Sequence, residues 1–195
     1  EVKRLEYANH FWETRKRKGV TLYEAEKWMR ERNYFGLMMV NTGEADAMVT
    51  GHSRSYPSTI KPVMQLIDKA PGVSKIATTN MMMTARGPIF LSDTAINPNP
   101  SAEELARIAL MTAKTVRMFG MEPVIAMVSY SNFGSSHNEG PSKVSQAVAY
   151  LHENFPDLIV DGEIQTDFAL NSDMLKSKFP FSKLVNKKVN TLIFP

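Results

Sequence analysis

From Pro123 onward, short and wholly apolar runs alternate with helical patterns, and this alternation restricts the chain to an open α/β architecture. Val124–Val128 has no polar residue on either face, as expected of a parallel strand covered on both sides. A polar loop over 129–140 separates it from a helical stretch near 142–154 and a second apolar run at 158–160. A helix near 165–176 and a strand at 191–194 complete the series. The predicted class is α/β, with αβα layers and mainly parallel sheets. A last strand needs a neighbour or a covering helix, so a chain ending at Pro195 is expected to lack further sequence.

The first part of the chain is read by the same rules. Leu5, Ala8 and Trp12 predict a helix over 1–17 closed by Gly19. Thr21 and Glu24 form a capping box ahead of a helix burying Ala25, Trp28 and Met29. The runs at 35–40 and 47–50, joined by Asn41-Thr42-Gly43-Glu44, read as buried strands. The polar stretch 52–59 leads into a helix carrying Val63, Met64, Leu66 and Ile67, and Ala70-Pro71-Gly72 marks a boundary between a lobe at 1–70 and another at 71–195. Strands are predicted near 76–82 and 89–91, with Met81-Met82-Met83 as core packing. Asn99 is the expected cap, with Pro100 in the first turn, of a helix that buries Leu105, Ile108, Ala109, Val116 and Phe119 and stops at Gly120.

Composition removes several functions. Cysteine is absent and methionine occurs 13 times, which excludes disulfides and thiolate metal sites and fits a reducing, cytoplasmic setting. No apolar run reaches the ~18 residues of a membrane span, and Glu1–His10 holds no signal core. The formal charge is +3, but the one dense basic run, Arg15-Lys16-Arg17-Lys18, is not the aromatic-interleaved stripe of a nucleic-acid surface. Dinucleotide-binding glycine fingerprint, P-loop and G-x-S-x-G elbow are all missing.

Three segments could carry chemistry. Ser129-Tyr130-Ser131-Asn132-Phe133-Gly134-Ser135-Ser136 follows a strand and precedes a helix, the position where open α/β sheets bind ligands; it is either an anion cradle of amides and hydroxyls or an ordinary polar connection. Arg15 and its neighbours, with Lys61, are either phosphate partners or surface charges. Asp161-Gly162-Glu163 with Asp167 supplies metal ligands, acid-base groups or, more simply, caps and turn formers. His10, His52, His137 and His152 form no metal spacing, and only His52 and His137 fall in candidate ligand loops.

Seven ordered blocks resemble the phosphate acetyl/butyryl transferase family: Arg15-Lys16-Arg17-Lys18-Gly19, Gly43-Glu44-Ala45-Asp46, Thr59-Ile60-Lys61-Pro62, Asp93 to Pro100, Ala126 to Ser131, Asp161-Gly162-Glu163-Ile164-Gln165 and Leu192-Ile193-Phe194-Pro195. The resemblance implies two αβα lobes of the isocitrate/isopropylmalate dehydrogenase-like architecture: 1–70 as part of the first phosphotransacetylase lobe and 71–195 as the second, without the C-terminal return to the first. It implies an acetyl-CoA, coenzyme A or phosphate site made by Arg15, Thr59, Lys61, Ser129, Ser131, Asn132, Gly134 and Ser135. Transacetylases of this family usually continue as Ser-x-Ser-Thr-Lys-Gly-Ser, where this chain has Asn132-Phe133, and carry arginine where Lys61 stands. Ser131-Asn132-Phe133-Gly134-Ser135 and Lys178-Phe179-Pro180-Phe181-Ser182 are similar to the branch found as the C-terminal domain of NADP-dependent malic enzymes. That branch implies an acyl-CoA-sensing regulatory module with no catalytic residue of its own, since the family's Ser-Arg pair and aspartate fall beyond Pro195. NADP and a divalent metal would belong to the parent enzyme's N-terminal malate-oxidising region, a partner of this one, which converts malate to pyruvate. Homo-oligomerisation through the second lobe is implied as well. The alternatives are a phosphate acetyltransferase and an oligomerisation module.

Overall fold

A computed structural model describes residues 1–195, which divide into two compact units, Glu1–Val73 and Ser74–Pro195. The division falls beside the Ala70-Pro71-Gly72 turn.

The first unit is helical throughout. Helices α1 (Val2–Arg15), α2 (Leu22–Trp28), α3 (Arg32–Asn41) and α4 (Tyr56–Leu66) enclose Tyr7, Phe11, Met29, Tyr34, Met38 and Leu66. Thr21 and Glu24 form the predicted capping box. The strand expected at 35–40 is the body of α3, and 47–50 is irregular. Tyr34, Leu37 and Met38 fall on one face at three-to-four spacing and are buried, so a short apolar run served a helix rather than a sheet. Pro62 lies inside α4 and cannot donate to Ser58, whose carbonyl instead accepts from the Asn33 amide at 3.4 Å.

The second unit is α/β. Its five-stranded sheet runs β1-β2-β5-β3-β4, where β1 is Thr79–Thr84, β2 Gly87–Ser92, β3 Val124–Val128, β4 Ile159–Ile164 and β5 Thr191–Ile193. β1 pairs antiparallel to β2, and the other neighbours are parallel. Ile125 and Met127 face α5 (Ala102–Met118) and α6 (Glu139–Asn154) through Leu105, Ile108, Val144 and Leu151. Val124, Ala126 and Val128 face Leu175 and Leu184 on the other side, beneath α7 (Thr166–Leu170) and α8 (Ser172–Lys178). β3 is therefore covered on both faces, as its composition requires.

Four expectations are corrected. The cap of α5 is Ser101, not Asn99: Ser101 and Glu104 exchange the two capping-box bonds at 3.2 and 3.0 Å, while Asn99 accepts from Lys143. Met81, Met82 and Met83 are exposed, because β1 is an edge strand with β2 as its sole neighbour. Phe119 lies just past α5 and is also exposed, its ring against Phe90 at 5.6 Å. The helix expected at 165–176 breaks at Asn171, which is extended and caps α8 through the Met174 amide. β5 lies in the middle of the sheet, between β2 and β3.

β3 and β4 come closest at Gly162, where φ is +145° and an added Cβ would sit 2.4 Å from the Met127 carbonyl oxygen. Backbone cannot yield as a flexible side chain does. Gly162→Ala should cost about 3 kcal/mol in urea unfolding; an unchanged midpoint would contradict this close approach.

Candidate ligand site

Four parallel strands end at one edge of the sheet, and three of them, β2, β3 and β4, hand the chain to a polar segment there. β2 leads into Asp93. Its carboxylate, 8% exposed, accepts from the Thr78 hydroxyl and amide, from the amides of Ala95, Ile96 and Asn97, and from the Asn97 side chain at 2.6 Å. Asn97 reaches on to the Ile76 carbonyl at 2.9 Å, so one aspartate ties the 93–97 turn to the chain before β1. Burial pushes the Asp93 carboxyl up, but the bonds from Thr78 and Asn97 outweigh it and hold the group below its ordinary range.

β3 leads into the loop singled out by sequence, and Glu163, near the end of β4, and Gln165, just after it, hold that loop in place. Glu163 is 2% exposed; its Oε1 accepts from the Gly134 amide at 2.5 Å and the Ser131 hydroxyl at 3.3 Å. The Glu163 carbonyl accepts from the Phe133 amide at 2.8 Å. Asn132 and Gln165 exchange two bonds, Asn132 Nδ2 to Gln165 Oε1 at 2.6 Å and Gln165 N to Asn132 Oδ1 at 2.8 Å. Ser131 and Ser135 hydroxyls meet at 2.9 Å, and Ser135 Oγ accepts from the Asn132 amide. Phe133 and Gly134 make the turn with φ of +44° and +85°.

The amides of Ser131, Asn132, Phe133, Gly134 and Ser135 are thus all engaged within this assembly. An anion at the loop would be met by hydroxyls rather than by a ring of free amides. Beside Glu163 opens a cavity of about 170 Å³ bordered by Ser136, His137, Ser142 and Ser145.

Asp161 is structural. It accepts from the Ser182 hydroxyl at 2.8 Å and the Lys183 amide at 2.7 Å, anchoring the segment after α8. That segment supplies Phe179 and Phe181, whose rings lie 5.0 and 5.1 Å from Phe133. No group of three or more His, Asp or Glu side chains is placed to hold a metal ion.

Arg15, Thr59 and Lys61 belong to the first unit. Arg15 donates to the Gln65 carbonyl of α4, and Thr59 back-bonds to the Ser55 carbonyl. The Lys61 ammonium lies 5.5 Å from the Trp28 ring centre and, with Arg54, Asn33 and Ser58, borders a cavity of about 280 Å³. Arg15 does not line it. His52 is exposed, at a φ of +63°. Sequence reasoning missed the anchoring roles of Asp93 and Gln165 and read Glu163, more simply, as a cap or turn former. The available signal was a carboxylate directly after an apolar strand, which must find donors if the strand end is buried.

The family model described as phosphate acetyl/butaryl transferase matches residues 1–195. The chain belongs to that family. A phosphate acetyltransferase of Synechocystis sp. is 40% identical over 192 residues, covering 98% of this chain and 27% of the relative. An NADP-dependent malic enzyme of Haemophilus influenzae is 37% identical over 187 residues, covering 95% of this chain and 25% of that protein. The crystal structure of a phosphotransacetylase from Streptococcus pyogenes superposes with a TM-score of 0.82 at 38% identity, covering 97% of this chain and 58% of that one. The chain thus spans between about a quarter and three fifths of these relatives' lengths. The α/β fold with its mainly parallel sheet is that of the phosphotransacetylases. No helix is long and apolar enough to cross a membrane.

Asp93 makes a pH-dependent prediction for this family member. Its folded pKa is depressed, so its stabilisation is present above the unfolded carboxyl value of about 3.9 and lost as pH falls through the lower folded value. Asp93→Asn should lose about 2 kcal/mol at neutral pH and show a flatter stability profile in the acid range. Parallel acid profiles for the two proteins would remove Asp93 as the source.

Proposed function

We propose that this chain is the acyl-CoA- and phosphate-handling part of a phosphate acetyltransferase, in which acetyl passes between the sulfur of coenzyme A and a phosphate oxygen. The observation that carries the reading is the 129–135 loop, buttressed by Glu163 and Gln165 at the carboxyl edge of the parallel strands. Ser129, Ser131, Asn132, Gly134 and Ser135 are the proposed contacts. The relatives named phosphate acetyltransferase support the same reading.

One observation favours a second reading, an acyl-CoA-sensing domain of a malic enzyme. Phe133 stands where transacetylases of this family usually carry the lysine of Ser-Thr-Lys-Gly, and its ring packs on Phe179 and Phe181. The two segments that resemble the malic enzyme branch meet in this contact, where an aromatic wedge stands in place of the cation. The Haemophilus influenzae malic enzyme supports this alternative.

A single experiment separates them: thermal unfolding of the full-length protein with acetyl-CoA beside an assay for acetyl phosphate formed from acetyl-CoA and phosphate. A ligand at ~100 times its Kd adds about 2.7 kcal/mol to stability. Stabilisation with turnover is expected for the transferase. Stabilisation without turnover would favour the sensor, and neither signal would refute both.

A further inference from the structure

A hollow of about 950 Å³ in the second unit lies away from the 129–135 loop, at the opposite edge of the sheet where β2, β3 and β5 begin. Its size is that of a small-molecule site. Its wall includes Ile89 of β2, Val124 of β3 and Val189 of the segment entering β5. Its rim carries Arg86, Lys187 and Lys188.

The rim is built rather than loose. Arg86 donates to the Leu170 carbonyl at 3.2 Å, and Lys188 donates to the Arg86 carbonyl at 2.5 Å. These bonds join the β1–β2 turn, the end of α7 and the segment entering β5. Behind them Asn190 accepts from the Val124 amide at 2.9 Å and donates to the Glu122 carbonyl at 2.8 Å, fixing the wall.

The charges are unbalanced. None of Arg86, Lys187 and Lys188 forms an ion pair within the chain. Of the two carboxylates on the lining, Glu122 is held by Arg117 at 3.0 Å, which leaves Asp173. Three cations around an apolar wall, with one uncommitted carboxylate, match a ligand that is anionic at one end and apolar or aromatic at the other.

We propose that this amino-end cavity is a second ligand site, taking a phosphorylated small organic molecule of nucleotide size. The phosphates meet Arg86, Lys187 and Lys188, and the organic part lies on Ile89, Val124 and Val189. This inference stands apart from the transacetylase reading, since it uses none of the residues of that site.

The test is a titration of the chain with ATP, adenosine and inorganic pyrophosphate, followed by amide chemical shifts. ATP should shift the amides of 86–89 and 186–190 saturably, with adenosine and pyrophosphate each binding more weakly. Lys187→Glu, at an exposed amine with no internal partner, should leave the fold intact and weaken ATP by at least about tenfold. Shifts confined to 131–137 would overturn the proposal, as would adenosine or pyrophosphate matching ATP, an unchanged affinity in Lys187→Glu, or no saturation by any probe.

Discussion

A carboxylate as deeply buried as Glu163 must be met by donors, because an unpaired buried charge costs several kcal/mol. The donors here are the Gly134 amide and the Ser131 hydroxyl, on a loop that leaves β3 while Glu163 ends β4. One interaction therefore decides where the loop sits and which of its groups remain available. It depends in turn on the close β3–β4 approach at Gly162, and on β3 being apolar enough to lie in the sheet interior. The asparagine–glutamine exchange between Asn132 and Gln165 closes the far side.

The same edge shows a division of labour among carboxylates. Asp93 gathers its own turn, Asp161 gathers the segment after α8, and Glu163 gathers the candidate ligand loop. Three acids on or just after the strands thus organise three chain segments. Through Asp161 the aromatic group of Phe179 and Phe181 is set against Phe133, so the loop is supported by charge on one side and by rings on the other. The fold positions polar groups at the carboxyl edge, while the amino edge keeps a larger hollow with a cationic rim.

What could be read from sequence follows from which forces act locally. Val124–Val128 was legible because burial on both faces leaves no polar residue, and the Thr21–Glu24 box because capping is a bond between near neighbours. The run at 35–40 was misread because a few apolar residues fit a strand and a buried helix face equally; Leu37 and Met38 chose the helix through their packing on Tyr7 and Phe11, far away in sequence. Met81-Met82-Met83 looked like core because composition does not say that a strand is at an edge. The loop at 129–135 was found by its position after a strand, but whether its amides stood open as an anion cradle could not be read locally. Their partner, Glu163, lies about thirty residues on, and only the parallel pairing of β3 with β4 brings it there.

The most direct test of Glu163 as the organiser of this edge is amide hydrogen exchange at Gly134 in the wild-type chain and in Glu163→Gln. The account predicts a protected Gly134 amide that exchanges at least about tenfold faster in the variant, corresponding to ~1.4 kcal/mol, while Ala126 at the centre of β3 is unchanged. A Gly134 amide already exchanging at the unprotected rate in the wild-type chain would contradict it.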